Sequence, residues 1–202
     1  LDRDPWLIVP NRGDVERAER ELLGRTGVLL AGTIGTFDDL FRAIAERGGG
    51  GEREISEPLR RVLLRRVVAA TDLGALGPSA SASGFIEVVD RALAETASAL
   101  VAPEQLPAQL SALAASYEAA LALAGLVDRP RVGRNAVERL RGDLGAWSGR
   151  PVFAYGFEDL TQAEWNALEA LAARTDVMVS LPYEPGRPAF ASLTGTAEDL
   201  AQ

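Results

Sequence analysis

The sequence lacks three residue types that supply much of enzyme chemistry. Its 202 residues contain no Cys and no His, and all 21 basic residues are Arg, so Lys is absent too. Without Cys there is no disulfide or thiol nucleophile, and without His there is no histidine base or histidine-ligated metal. Without Lys there is no Schiff base and no P-loop lysine. We therefore expect a binding or scaffolding role with no catalytic residues, no metal and no cofactor.

Long apolar runs are also absent. No segment approaches the roughly 20 apolar residues that span a bilayer. The first five residues, LDRDP, have neither the basic region nor the apolar core of a signal peptide. We expect a cytoplasmic protein without membrane partners. Because the sequence does not begin with Met, we also expect it to be part of a longer polypeptide.

Positive charge is scarce in the last part of the chain. The net charge is −8, and most of it falls after residue 150, whereas residues 1–66 contain equal numbers of acidic and Arg residues. Phosphate binding needs clustered cations, so an acidic chain disfavours non-specific adhesion to nucleic acid. The first third is the part of the chain where such binding is least opposed.

The beginning of the chain alternates between strand and helix patterns. We predict a strand at residues 6–9, a helix from Asn11 to Gly24, a strand at residues 28–31, and a helix from Thr36 to Arg47. Short connections between these elements are typical of a parallel α/β sheet. The four glycines at 48–51 predict a flexible linker.

The middle of the chain has a different pattern. Residues 55–148 contain four amphipathic stripes, which predict a small helical bundle. Strand patterns return at 152–155 and 177–181, with a capping box at 161–164 between them. We therefore predict a parallel-sheet α/β core, residues 1–54 and 149–202, interrupted by an α-helical insertion, residues 55–148.

Three segments resemble parts of one known architecture, and they follow one another along the chain in the order that this architecture has. The segment VLLAGTIGTFDDL at 28–40 resembles a strand-to-helix motif of superfamily-one helicases. Upstream, LIVPNR at 7–12 resembles the strand and turn of their first single-strand contact motif. Downstream, PVFAYGFEDLT at 151–161 is similar to a segment of the AddB/RexB-type family of helicase–nuclease B subunits, which stands where a helicase has its Walker B strand.

This resemblance implies an inactivated, P-loop/helicase-like domain. The members of this family are the non-motor subunits of a bacterial ATP-dependent helicase–nuclease. The helicase–nuclease acts in double-strand-break repair and recombination. The implied partners are single-stranded or duplex-end DNA and a helicase motor subunit. The implied fragment is the first helicase-like domain, with a 1A-like core and a 1B-like insertion.

The resemblance also assigns candidate site residues. Asn11, Arg12 and Thr36 match positions that contact the DNA backbone, and all three follow predicted strands, where α/β sheets place ligands. Tyr155 and Gly156 occupy the positions of the Walker B carboxylates, so the Walker B motif is degenerate. We expect no ATP hydrolysis by this chain.

Simpler interpretations of the same residues stay open. Asn11 and Thr36 are also suitable helix caps, and Arg12 is also suitable as an ordinary surface residue. The basic cluster of Arg60, Arg61, Arg65 and Arg66 could meet phosphates, a partner's carboxylates or only solvent.

Two other functions remain as alternatives. In the first, the chain docks a motor subunit without contacting DNA. In the second, which we rank last, it is a nucleotide-binding ATPase that uses Glu158 and Asp159.

Overall fold

The computed structural model of the protein describes residues 4–29, 31–47, 53–187 and 193–200. Contacts divide the chain into two compact units. The first, which we call the α/β unit, contains residues 1–49 and 136–202, and the second, the helical unit, contains residues 50–135. The predicted glycine linker at 48–51 lies outside the described residues.

The α/β unit is built on a parallel sheet of four strands. These are β1 (Trp6–Ile8), β2 (Thr33–Gly35), β5 (Val152–Tyr155) and β6 (Val177–Ser180), in the order β2-β1-β5-β6. Every pairing is parallel, and Trp6 lies opposite Thr33 on one side and Val152 on the other. Parallel neighbours need a crossover connection. The sheet confirms the predicted α/β class.

Helices supply these crossovers. α1 (Arg12–Thr26) connects β1 to β2, and α7 (Gln162–Ala172) connects β5 to β6. This unit also contains α2 (Phe37–Arg47) and α8 (Thr194–Leu200). The predicted capping box at the start of α7 is confirmed, because Thr161 and Glu164 each bind the other's backbone N–H.

The core of the α/β unit lies between sheet and helices. α2 buries one apolar stripe, and each of its large side chains contributes about 1.5–3 kcal/mol by leaving water. Trp6 and Trp147 pack with ring centroids 5.7 Å apart. The side chains that are completely buried here include Ile8, Leu40, Ile44, Leu140, Val152 and Leu171.

Two predicted boundaries in this unit are wrong. The strand expected at 28–31 lies instead at 33–35, and Val28 is 54 % exposed, while Leu30 lies outside the described residues. Gly32 has a φ of +103°, and the chain enters the sheet only after this turn, where the Thr33 N–H donates to the Pro5 carbonyl. α1 also continues through Gly24 and ends at Gly27, whose φ of +73° is the left-handed conformation typical of a helix end.

The helical unit contains four helices and a small sheet. Its helices are α3 (Glu57–Ala70), α4 (Phe85–Ser98), α5 (Ala108–Leu123) and α6 (Arg129–Gly142), and the last of these contributes residues to both units. Two strands that the sequence did not predict, β3 (Arg53–Glu54) and β4 (Leu126–Val127), pair in parallel. Short 3₁₀ helices cover Gly74–Ser81 and Pro103–Gln105.

Packing in the helical unit centres on α3, α4 and α5. Their apolar stripes meet in one cluster that includes Leu64, Val89, Leu113 and Leu121. Tyr117 also belongs to this cluster, and it is buried beside the Asp128 carboxylate. Burial and that carboxylate raise the pKa of the Tyr117 phenol far above its ordinary value, so the phenol stays protonated.

A buried ion pair connects α3 to α4. Arg60 is 7 % exposed, and its Nε lies 2.6 Å from the Asp90 carboxylate. The guanidinium also lies 5.9 Å from the centroid of the Tyr117 ring. The sequence grouped Arg60 with three neighbouring arginines, but the structure places it in the core.

Candidate nucleic-acid interface

The candidate site lies at the carboxyl edge of the sheet. β1, β2 and β5 are parallel, so their carboxyl ends meet at one edge. The chain leaves β1 towards β2 on one side, while β5 pairs with the other side of β1. Such a reversal of direction is a topological switch point, where open α/β sheets bind ligands in a crevice. Of the five predicted site residues, Tyr155 is the last residue of β5, and the other four lie in the segments that follow these strands.

Asn11 is the N-cap of α1. Its Oδ1 accepts the Asp14 N–H at 3.0 Å, and its Nδ2 donates to the Asp14 carboxylate at 2.8 Å. The capping interpretation of Asn11 is therefore confirmed. Both polar atoms of the side chain have partners, so Asn11 fixes the first turn of α1 and the position of the next residue, Arg12.

Thr36 directly precedes α2 and donates two hydrogen bonds to Asp39. The Asp39 carboxylate accepts the Thr36 backbone N–H and the Thr36 hydroxyl, each at 2.9 Å. Gly35 allows this close approach, because a Cβ at Gly35 would lie 3.1 Å from the Asp39 Cβ. The Thr36 hydroxyl is thus already donating inside the protein, and it would have to leave Asp39 to donate to a ligand.

Arg12, which follows β1, binds the same Asp39 carboxylate that Thr36 binds after β2. Its guanidinium donates to Asp39 at 2.7 Å, and Arg42 lies 3.5 Å from the same oxygen. Burial alone would raise the pKa of Asp39, but the hydrogen bonds from Thr36 and the charges of Arg12 and Arg42 bring it below 3.8. Asp39 is therefore ionised at neutral pH and holds the start of α1 against the start of α2.

Arg12 nevertheless faces solvent. Its side chain is 70 % exposed. A guanidinium has five N–H donors, so one bond to Asp39 leaves others free to meet an anion. Among the predicted contacts, Arg12 has the geometry for a direct phosphate contact.

Tyr155 and Gly156 end β5 on the other side of β1. Tyr155 is 60 % exposed, and Gly156 has a φ of +82°, a conformation that residues with a side chain rarely adopt. A crevice of about 360 Å³ separates this strand end from α1. Its lining consists of Val9, Pro10, Asp14, Arg17, Ala18, Glu21, Tyr155 and Gly156.

An aromatic contact supports the segment after Gly156. Phe157 is buried, and its ring packs edge-on against Phe37 of α2 with centroids 5.3 Å apart. This contact connects the ends of β2 and β5, because Phe37 follows Thr36 directly.

Glu158 and Asp159 lie beyond the strand end. Both are exposed, and Asp159 accepts the Leu160 N–H at 2.8 Å as a local turn. In the part of the chain that the structure describes, no group of three or more acidic side chains is arranged to hold a metal ion. Over the same residues, no helix is both long enough and apolar enough to cross a membrane.

Sequence reasoning missed Asp39, which binds two of the predicted site residues, Arg12 and Thr36. The signal was present: Thr36 and Asp39 have the Thr-x-x-acid spacing of a capping box, as do Thr161 and Glu164.

Comparison with known proteins identifies relatives of one kind. Two proteins from strains of Desulfitobacterium hafniense, each named as the B subunit of an ATP-dependent helicase/deoxyribonuclease, are 28 % identical over 186 residues, covering 82 % of this chain. The protein of the same name from Pelotomaculum thermopropionicum is 26 % identical over 217 residues, covering 96 %. No protein-family model matches the chain.

These matches confirm the resemblance to helicase–nuclease B subunits that the sequence motifs indicate. The chain spans only 15 % of the length of the Desulfitobacterium relatives and 18 % of the Pelotomaculum relative.

Proposed function

We propose that this chain is a non-catalytic, helicase-like DNA-binding domain of a helicase–nuclease B subunit involved in DNA repair and recombination. In this proposal the core, residues 1–54 and 149–202, binds single-stranded DNA at the carboxyl edge of its sheet. The insertion, residues 55–148, is the 1B-like part. The observation that carries the proposal is the position of Arg12 and Tyr155 on either side of the β1 strand end, where the sheet changes direction.

Arg12 and Tyr155 offer the two kinds of contact that single strands use. Binding sites for single-stranded nucleic acid combine cations for the phosphates with aromatic rings for the bases. Arg12 has free guanidinium donors, and Tyr155 presents an exposed ring at the mouth of the crevice. We infer that Arg12 contacts phosphate directly, while Asn11 and Thr36 position it through the cap of α1 and through Asp39.

The surrounding charges favour modest affinity. Asp14, Asp38 and Asp39 lie in the first turns of α1 and α2, close to the arginines of this edge. These carboxylates repel phosphate, and salt weakens the attraction of the exposed Arg12 further. We therefore expect weak, strongly salt-dependent binding to an oligonucleotide.

Residue chemistry supports the non-catalytic part of the proposal. Phosphoryl transfer at a Walker B strand needs a carboxylate that holds magnesium. At the matching positions this chain has the phenol of Tyr155 and the backbone of Gly156. We expect no magnesium-dependent ATP turnover by this chain. Turnover that disappears on Asp159→Ala would contradict this expectation and favour the ATPase alternative.

The DNA contact is tested by fluorescence anisotropy of a labelled single-stranded oligonucleotide with this chain. Arg12→Ala is expected to weaken binding several-fold and to lower the salt dependence by roughly one phosphate contact. The matched control is Arg187→Ala, because Arg187 is 61 % exposed and is also paired, at 2.8 Å, with Glu184. Equal losses in the two variants, or no binding by the unmodified chain, would contradict the proposal.

The second candidate function is docking of a motor subunit without DNA contact. Phe153 and Met178 lie opposite each other on β5 and β6, and both are exposed on one face of the sheet together with Tyr155. Parallel sheets usually have both faces covered. Co-elution with a motor subunit that is lost in Phe153→Ser/Met178→Ser, together with no measurable DNA affinity, would favour docking over DNA binding.

A further inference from the structure

The exposed side of α3 is a basic surface that the proposed single-strand site does not use. It contains the arginines at 61, 65 and 66, together with the aliphatic side chains of Leu59 and Val62. All five side chains are exposed. We call this set the α3 basic face.

Among the described residues, no carboxylate pairs with any of the three arginines. Across the described ranges of the chain, none of their guanidinium groups makes an ion pair or a side-chain hydrogen bond. Glu57 stands four residues before Arg61, at a spacing that often gives an ion pair, but the structure forms none there. By contrast, Arg60 on the same helix is buried against Asp90.

This arrangement is unfavourable for the isolated helix. Arg61 and Arg65 are four residues apart, so they are neighbours on the helix surface, and like charges at this spacing destabilise a helix. Elsewhere in the protein, Arg139 and Arg187 each pair with a carboxylate about one turn away. A local arrangement that opposes stability without compensation inside the fold is typical of a functional surface.

We propose that the α3 basic face binds the phosphodiester backbone of duplex DNA. The proposal rests on the proposed function, because it assumes that this chain contacts DNA. Arg61 and Arg65 lie four residues apart, about 6 Å along the helix axis, and so present their charges as a row that successive phosphates of one strand can follow. Backbone contacts of this kind position a protein without reading sequence.

Duplex DNA fits this surface better than a single strand. Sites for single strands add aromatic rings on which unpaired bases stack. α3 contains no aromatic residue, whereas the carboxyl edge of the α/β unit exposes Tyr155. The two units therefore offer different chemistry: the sheet edge has arginines together with an exposed aromatic ring, whereas α3 has arginines without an aromatic ring.

A protein partner fits less well. The apolar part of the face consists of two aliphatic side chains, and a protein interface would have to remove water from three guanidinium groups around them. Such groups are costly to bury unless each one is paired. Phosphates accept charged hydrogen bonds while the rim of the contact stays wet.

The test measures anisotropy of a labelled duplex and of a labelled single strand over a range of salt concentrations. The variant combines Arg61→Gln, Arg65→Gln and Arg66→Gln, because Gln resembles Arg in helix propensity. We expect duplex affinity at low salt to fall about tenfold or more, and the salt slope to decrease by roughly two to three. Single-strand affinity is expected to change much less. Circular dichroism checks that α3 remains folded.

A matched control removes the same amount of charge elsewhere. It combines Arg139→Gln, Arg174→Gln and Arg187→Gln, three arginines that already bind an acceptor in the α/β unit. An equal loss of duplex affinity in this control would show a general charge effect and overturn the proposal.

The remaining outcomes separate the two proposals. Single-strand binding without duplex binding by the unmodified chain would overturn the role of α3 and leave the proposed function standing. Absence of binding to either DNA would overturn the proposed function itself. Unchanged duplex binding in the α3 variant, with loss of co-elution with another polypeptide, would identify a protein interface and overturn this proposal.

Discussion

The Asp39 carboxylate accepts both hydrogen bonds that Thr36 donates, from its backbone N–H and from its hydroxyl, at 2.9 Å each. Its other oxygen accepts from Arg12, 27 residues earlier in the sequence. One carboxylate thus caps α2 and fixes the first residue of α1. The stability of the sheet edge and the position of its exposed arginine depend on the same side chain.

Asp39→Ala is expected to destabilise the protein by about 1–2 kcal/mol. The substitution removes the acceptor for the Thr36 N–H and hydroxyl and leaves Arg12 without its partner. Urea unfolding followed by circular dichroism measures the change. The control is Glu19→Ala, which removes one carboxylate from an exposed position on α1 and should change stability by less than about 0.5 kcal/mol. Equal losses in the two variants would contradict the capping role.

The contribution of Asp39 is expected to depend on pH. Its pKa in the folded protein is below the ordinary 3.8. The ionised carboxylate therefore stabilises the fold above that ordinary value, and this stabilisation is lost as the pH falls through the lower folded pKa. Asp39→Asn has no such group. The gap in unfolding free energy between wild type and Asp39→Asn should shrink from about pH 7 to about pH 3. A constant gap would contradict this assignment.

Gly35→Ala is expected to destabilise the protein by about 1 kcal/mol or more. The new Cβ would lie 3.1 Å from the Asp39 Cβ and 3.2 Å from its Oδ2, and hydrogen bonds hold Asp39 in place. Gly24→Ala should act in the opposite direction, because Gly24 is exposed within α1 and has open space around it. There we expect a gain of about 0.4–1 kcal/mol. Thermal unfolding of both variants tests whether Gly35→Ala lowers the stability of the protein and Gly24→Ala raises it.

Arg60→Met is expected to cost about 2–4 kcal/mol, because it leaves Asp90 without its partner in the helical unit. The double variant Arg60→Met/Asp90→Leu replaces both charges by apolar side chains and should recover most of that loss. Chemical unfolding followed by the helical circular dichroism signal measures both. If the double variant is as unstable as the single one, the loss comes from the missing ion pair itself and not from leaving the Asp90 carboxylate unpaired.

The elements that sequence predicted well have a strong local cause. Thr161 and Glu164 bind each other's backbone within three residues, so the start of α7 depends on nothing distant. Residues 152–155 combine an apolar run with a proline before it, and the strand appears at those positions. The sequence also predicts the cap at Asn11, because that cap depends only on the backbone N–H of Asp14, three residues later.

Other features depend on contacts between distant residues. An apolar run at 28–31 predicts a strand, but pairing with β1 begins only where the Thr33 N–H meets the Pro5 carbonyl. Strands of two residues, such as β3, are too short to show the alternation of apolar and polar residues that predicts a strand. The position of Arg60 inside the core follows from Asp90 on another helix, and sequence spacing within α3 cannot show it.

The central position of β1 has a consequence for biosynthesis. Trp6 pairs with Val152, and Arg150 reaches back 146 residues to bind the Asp4 carbonyl. A ribosome must therefore deliver the whole helical unit before β1 can gain its second neighbour. Contacts between distant residues form slowly, because a long loop must close first. Until then β1 has only β2 to pair with and its other edge lacks a strand partner, and this interval is when the nascent chain is most exposed to misassociation.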